Sequence, residues 1–278
     1  METSMKSSQR QTRFLTYAVL ILGSIIMIFP FVWMVLTCFK TQAESMAVPP
    51  QIFPSHWDLE NFVTALQSLP FVNLYVNTAL LIFFRVVCAV VFSSMAGYAF
   101  AKLNFPFKNF LFTIVLVQMM LPSQIFITPQ YLMLAHMGMT NTIFALVFPG
   151  IVSAFGTFFL RQTYLGIPNE IAEAAYLDGC SKWQTFTRVL FPLTGSSCAA
   201  LGIFTAVFAY SDLMWPLICN TDLNMMTLSA GLSTLNGQYT TNFPVLMAGS
   251  LLAMIPMVIL YLLFQKHFIQ GIAMTGGK

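Results

Sequence analysis

Six stretches of the chain are almost wholly apolar, at approximately 14–38, 72–101, 109–133, 141–161, 194–218 and 244–266, and polar residues collect between them. A helix needs about 20 consecutive apolar residues to cross the hydrocarbon core of a bilayer, so each stretch is read as one spanning helix. Pro122 and Pro129 fall inside the third stretch. They are expected to bend or break it, because proline lacks the backbone N–H and clashes with the preceding turn. The first stretch follows Lys6, Arg10 and Arg13, as in a signal peptide. Its run is about 25 residues, against about 7–15 for a signal core, and it lacks a clear small-residue cleavage site, so it is read as an uncleaved span. The expected fold is all-α, a polytopic membrane bundle of six transmembrane helices.

The charged residues orient this bundle. Lys6, Arg10 and Arg13 precede the first span, Lys102 and Lys108 lie between spans two and three, Arg161, Lys182 and Arg188 between four and five, and Lys266 and Lys278 after six. These ten share one side of the membrane, and Lys40 is alone on the other. Cytoplasmic segments hold the excess of Lys and Arg, which makes both termini cytoplasmic. The two larger outer segments, 39–71 and 219–243, are polar and acidic, with Glu44, Asp58, Glu60 and Asp222. The division that follows is a cytoplasmic tail at 1–13, a first helix and outer loop at 14–70, a five-helix core at 71–266 with a cytoplasmic loop at 162–191, and a cytoplasmic tail at 267–278.

Composition agrees and removes several classes. Of 278 residues, 58% are hydrophobic and 8% charged, whereas a soluble domain carries about 25% charged residues. The net charge of +3 and the lack of a basic run leave no nucleic-acid partner. Cys38, Cys88, Cys180, Cys198 and Cys219 have no metal spacing and read as small apolar fillers, so no metal site is expected. No G-x-x-x-x-G-K-[ST] occurs, so if ATP drives the protein another chain binds it. An intramembrane enzyme lacks its parts. His56, His136 and His267 lie outside the spans or at their ends, and Gly195–Ser196–Ser197 has no histidine at membrane depth to activate a serine. An ion-driven transporter usually needs an acid within the membrane, and only Asp212 comes near.

The inner segment from Arg161 to Phe191 concentrates charge, with Arg161, Glu170, Glu173, Asp178, Lys182 and Arg188. Pro168 suits the start of a helix, and Glu170 and Glu173 suit its first turns. Ala174 and Ala175 favour helix and leave a small face open to close approach. Asp178–Gly179 ends it, with glycine taking the left-handed conformation cheaply. Ser181 can cap a second helix running through Phe186 to Arg188, and Pro192 marks the entry to span five. Such a loop either caps the bundle or offers Glu173 and Asp178 to cations on a partner.

The pattern Glu173–Ala174–Ala175, three residues, Gly179, nine residues, then Val189–Leu190–Phe191–Pro192 resembles the EAA motif of binding-protein-dependent ABC importers. Val189 and Phe191 depart from that motif by apolar exchanges. Pro49–Pro50 and Pro54, Asn77–Thr78, Ala96–Gly97–Tyr98–Ala99–Phe100 and the closing Gly271–Ile272–Ala273 to Gly276–Gly277–Lys278 resemble the smaller, six-span permease of carbohydrate uptake systems. The resemblance implies a type I importer (MetI-like) fold in a bacterial cell membrane. It implies a second permease subunit, two ATPase subunits that hold ATP and Mg, and an extracellular solute-binding protein, with no cofactor on this chain. Glu173, Ala174, Ala175, Asp178, Gly179 and Trp183 would then couple to the ATPase, and the cargo would be a sugar, an oligosaccharide first, with glycerol-phosphate-type or other small polar solutes as the alternative. The outer segment 219–243 would reach toward the binding protein.

Arg85 is the one charge well inside a span, where it costs about 2.5–3.5 kcal/mol on insertion scales. It either lines the transport path or bonds to carbonyls and polar neighbours. Asp212 lies in the outer part of span five. Tyr210, Trp215 and Asn77 are further candidates for the path, since sugars are held by aromatic faces and a few polar groups. Trp and Tyr also gather at membrane interfaces for unrelated reasons.

Overall fold

The computed structural model describes residues 2–237 and 241–276. Its helices are α1 (Glu2–Thr37), α2 (Gln42–Ser45), α3 (Glu60–Ser68), α4 (Phe71–Lys102), α5 (Lys108–Met120), α6 (Ile127–His136), α7 (Ile143–Val147) and α8 (Ala154–Leu165). There follow α9 (Asn169–Leu177), α10 (Lys182–Gln184), α11 (Phe191–Leu193), α12 (Gly195–Ser211), α13 (Met214–Cys219), α14 (Leu228–Ser233) and α15 (Phe243–Gly276). The outer segment Gln238 to Thr240 and the closing Gly277–Lys278 lie outside the described residues. The chain divides into two compact units, Met1–Leu69 with Leu232–Ile255, and Pro70–Gly231 with Pro256–Lys278.

In the first unit, α1 carries a 23-residue apolar stretch, Leu15–Thr37, long enough to cross a bilayer. Its end is tied to the loop that follows. Lys40 is buried, with its ammonium 4.2 Å from the Trp33 ring centroid, and it donates to Gln51 O at 2.6 Å. Lys40 is therefore absorbed by the fold, and its burial lowers the lysine pKa. Thr41 and Glu44 form a capping box on α2. Hydrogen bonds from Ser55 and the Thr41 amide push the Glu44 carboxyl down to about 2.

In the second unit, α4 is the central post against which α8 and α12 pack. Its buried positions Leu74, Thr78, Leu81, Arg85, Ala89, Ser93 and Gly97 recur every three or four residues, the spacing of one helix face. Phe83, Phe84, Val87, Val91, Phe92 and Met95 stand exposed on the rest of it, as expected of a helix surrounded by lipid or other helices. At its C-terminal end α4 touches α8 backbone to backbone. A Cβ on Gly97 would lie 2.8 Å from Arg161 N and 3.0 Å from Leu160 C.

The predicted spans are more broken than their apolar runs suggest. By length and composition together, α4 and the apolar part of α1 pass as spans on their own among the described residues, and up to five spans result if each bent pair counts as one. The third stretch turns by 103° between Lys108–Met120 and Ser123–His136. Pro122 sits at that turn, as expected, whereas Pro129 sits in the first turn of α6, where its missing donor costs nothing. The fourth bends by 46° between Ile143–Gly150 and Ala154–Leu165. The fifth ends early. α12 stops at Ser211, Asp212 is extended, and Met214–Cys219 forms the separate α13. The helix of the sixth continues to Gly276, so the tail expected at 267–278 is helical through that residue.

Candidate functional site

The loop between α8 and α11 takes the expected helix–turn–helix form. Pro168 occupies the N-cap of α9, one position before the expected one, and Glu170 lies in the first turn. The helix closes with a Schellman motif. Cys180 N–H donates to Ala175 O at 2.9 Å, Gly179 N–H donates to Tyr176 O at 3.0 Å, and Gly179 has φ +83°. Ser181 and Gln184 then form a capping box on α10. From Thr185 to Leu190 the backbone is π-helical rather than α-helical, with Phe191 N–H bonded to Phe186 O. Pro192 supplies no donor for the next bond, which favours this irregular register.

The two alanines part company. Ala172 and Ala175 are buried against the chain, while Glu173, Ala174 and Asp178 face outward. Only Ala174 is thus available to another surface, because the i, i+3 spacing of 172 and 175 puts them on the inner face. Leu177 is 89% exposed and Trp183 60% exposed. Neither Glu173 nor Asp178 has an ion-pair partner among the described residues. The loop therefore presents two acids and two large apolar side chains, Leu177 from α9 and Trp183 from α10.

That turn is anchored by the C-terminal end of α4. Phe186 is buried among Tyr98, Tyr164, Trp183 and Phe191, with ring centroids 5.1, 6.4, 5.5 and 5.8 Å away. The Tyr98 hydroxyl donates to Lys182 O at 3.2 Å and lies 3.4 Å from the Tyr176 hydroxyl. Lys102 Nζ donates to Ile167 O at 2.6 Å and to Asn169 Oδ1 at 2.7 Å. One helix end thus holds both the start of α9 and the turn after it.

The residues expected along the transport path gather in the second unit, but most of their donors are spent on the fold. Arg85 Nε and Nη2 donate to Leu146 O at 3.2 and 2.6 Å, and Nη1 pairs with Asp212 Oδ2 at 3.0 Å. Trp215 Nε1 donates to Ala145 O at 2.8 Å. Ala145 and Leu146 lie at the end of the five-residue α7, where carbonyls have no partner within the helix. Arg85 and Trp215 cap the break in the fourth stretch, and Asp212 neutralises the cation at the break in the fifth. Asn77 Nδ2 donates to Asn224 O and Met226 O, pinning the outer segment to α4. Tyr210 is half-buried and accepts a bond from Ser229 Oγ at its carbonyl. The outer segment is not a plain solvated connection, since Asn220 is wholly buried and α14 buries Leu228, Ala230 and Gly231.

Residues 89–274 match the family described as binding-protein-dependent transport system inner membrane component. The chain belongs to this family. It is 34% identical to the arabinooligosaccharides transport system permease protein AraQ of Halalkalibacterium halodurans, over 91% of this chain and 92% of that one. It is 29% identical to the sn-glycerol-3-phosphate transport system permease protein UgpE of Salmonella typhi, over 96% and 98% of the two chains. A solved structure of a bacterial ABC transporter involved in the import of the acidic polysaccharide alginate superposes with a TM-score of 0.78 at 19% identity, over 94% of this chain and 98% of that one. That likeness carries the fold. Tyr98, Lys102 and Phe186 were not singled out from sequence as anchors of the loop between α8 and α11. The only signal was Tyr98 inside the segment Ala96–Phe100, which resemblance alone had marked.

Proposed function

We propose that this chain is one permease subunit of an ATP-driven ABC importer and forms half of the path for a sugar, an oligosaccharide first of all. Six spans cross the bacterial plasma membrane with both termini in the cytoplasm, so that α9 meets the ATPase and the segment 219–243 meets the solute-binding protein. A second permease completes the path, and two ATPase subunits bind ATP and Mg. Closure of the ATPase dimer moves the turn formed by α9 and α10, and the contacts of Tyr98 and Lys102 carry that movement into α4 as a rigid-body displacement. The observation that carries this reading is the outward set Glu173, Ala174, Leu177 and Asp178 on a helix whose opposite face is locked into the chain.

The sugar reading draws on the named cargo of AraQ and on the state of Arg85. A phosphate ester of the kind named for UgpE calls for a free cation in the path, and the donors of Arg85 are directed at Leu146 O and Asp212. Tyr210 and the partly exposed Asp212 are the better candidates to meet a neutral sugar. Asn77 and Trp215 act on cargo through the shape of the walls they hold. Pairing with Arg85 also argues against Asp212 as the proton carrier of an ion-driven transporter.

The test is ATP-dependent uptake by the complex reconstituted with its binding protein, offered arabinooligosaccharides and sn-glycerol 3-phosphate in parallel. Uptake of the oligosaccharide that requires ATP supports the proposal. Uptake driven by an ion gradient without ATP refutes the machinery, and preference for the phosphate ester refutes the cargo. Gly179→Asp should leave the chain folded but lose copurifying ATPase, because the bulk and charge fall on an exposed left-handed turn.

A further inference from the structure

A second site lies where α4 ends, α5 begins and the last turn of α8 passes beside them. An open cavity of about 490 Å³ is lined there by Lys108, Arg161, Asn104, Asn109, Phe107 and Phe110, among others. Its two cations are held by neutral groups. Lys108 Nζ donates to Leu103 O at 2.7 Å. Arg161 Nε donates to Phe100 O at 3.3 Å, and its guanidinium lies 4.0 Å from the Phe112 ring centroid. Both carbonyls belong to the end of α4, where backbone acceptors are free. These contacts aim the cations without neutralising them, since the one ion pair among the described residues is Arg85–Asp212. The neighbouring Lys102 is turned away onto Ile167 and Asn169. Asn104 and Asn109 are exposed at the rim and add neutral amide donors.

Two features narrow the ligand. Phe107 is 78% exposed and has φ +59°, a conformation uncommon for a side chain of this size, and strain of this kind clusters at binding sites. From the cavity an exposed apolar track runs along α5 through Phe110, Ile114 and Val117, spaced i, i+4 and i+7 on one face. A two-cation pocket at the foot of an apolar track fits an anion that carries a long hydrocarbon chain. A free phosphate would use the pocket and leave the track bare.

We propose that this cavity seats the phosphate of an anionic phospholipid, with one acyl chain laid along α5. In the orientation proposed above, the lipid belongs to the cytoplasmic leaflet, where basic pockets between spanning helices take anionic headgroups. Leu165, which also lines the cavity, stands four residues before α9, so the seat adjoins the coupling loop without forming part of it.

The test uses the complex extracted from membranes, with native mass spectrometry of retained lipid after exposure to equal phosphatidylglycerol and phosphatidylcholine. The wild type should retain phosphatidylglycerol preferentially. Lys108→Gln keeps an amide donor for Leu103 O and should reduce that preference about fivefold, and Arg161→Gln should do the same. Lys108→Gln carries the test if Arg161→Gln disturbs folding through Phe112. Excess inorganic phosphate should leave the lipid in place. Equal retention of the two lipids by the wild type, unchanged preference in Lys108→Gln, or displacement by inorganic phosphate alone would each overturn the proposal. These readouts do not depend on ATPase coupling, so failure here leaves the importer reading intact.

Discussion

Replacing Asp212 with alanine removes the carboxylate that faces the Arg85 guanidinium at 3.0 Å. Arg85 is 8% exposed, so its charge would remain buried with only the neutral Leu146 carbonyl for company. Breaking a buried pair from one side costs about 3–5 kcal/mol, and a lone cation within a span costs about 2.5–3.5 kcal/mol. The Asp212 side chain is 24% exposed, which lets water reach the vacated place and favours the lower end, about 3 kcal/mol. At about 2–4 °C per kcal/mol for a chain of this size, Tm should fall by about 6–12 °C. Arg85→Met removes the charge and leaves Leu146 O unpaired, a cost of about 1–3 kcal/mol. The double variant should then be more stable than the sum of the single losses, by about 1–3 kcal/mol. Thermal unfolding of the purified complex, followed by size-exclusion chromatography of the surviving fraction, measures all three. A Tm for Asp212→Ala within 1–2 °C of wild type, about 0.5 kcal/mol or less, or strictly additive losses, would refute a buried ion pair at this position.

Other predictions concern the coupling end and the outer loop. Gly97→Ala places a methyl 2.8 Å from Arg161 N, so α4 and α8 must separate; it should cost about 1–3 kcal/mol in thermal stability and lower transport-coupled ATPase activity. Tyr98→Phe deletes the bond to Lys182 O and should cost about 0.5–1.5 kcal/mol, with coupling reduced more than assembly; an unchanged ratio of transport to ATP hydrolysis would count against Tyr98 as a positioning residue. Glu44 has its folded pKa depressed from 4.5 to about 2, so its capping box contributes stability above pH 4.5 that is lost as pH falls toward 2. Glu44→Gln should flatten that part of the acid unfolding curve, and an identical curve would discount the box.

The apolar runs announced most of the helical segments, because crossing a bilayer imposes a length that composition alone reveals. Where those segments break was much less legible. Pro122 marked one break, but Pro129 was harmless at the start of α6, and nothing local marks the stop at Asp212. A helix can end inside an apolar run when distant donors satisfy its last carbonyls, as Arg85 and Trp215 do for α7. Such partners are set by tertiary contact and leave no periodic trace. The same cause engages the side-chain donors of Asn77 and Trp215 with backbone carbonyls of the fold. The coupling loop was legible in detail, since its caps are local. Gly179 and Ser181 sit where their backbone preferences require, and Pro168 falls one position earlier than its preference for the first helical turn predicts. Its inward turn at Ala175 was not, because two small residues in a row carry no sign of which faces the chain.

The central claim is that the outward face of α9 seats on an ATPase, and a photo-crosslinker placed at Leu177 tests it most directly. Leu177 is 89% exposed, and Phe110, at 64%, serves as a control outside the coupling loop. In membranes with active transport, irradiation should link position 177 to the ATPase subunit and leave position 110 unlinked to it. An active complex that yields no ATPase adduct from position 177 would contradict the account.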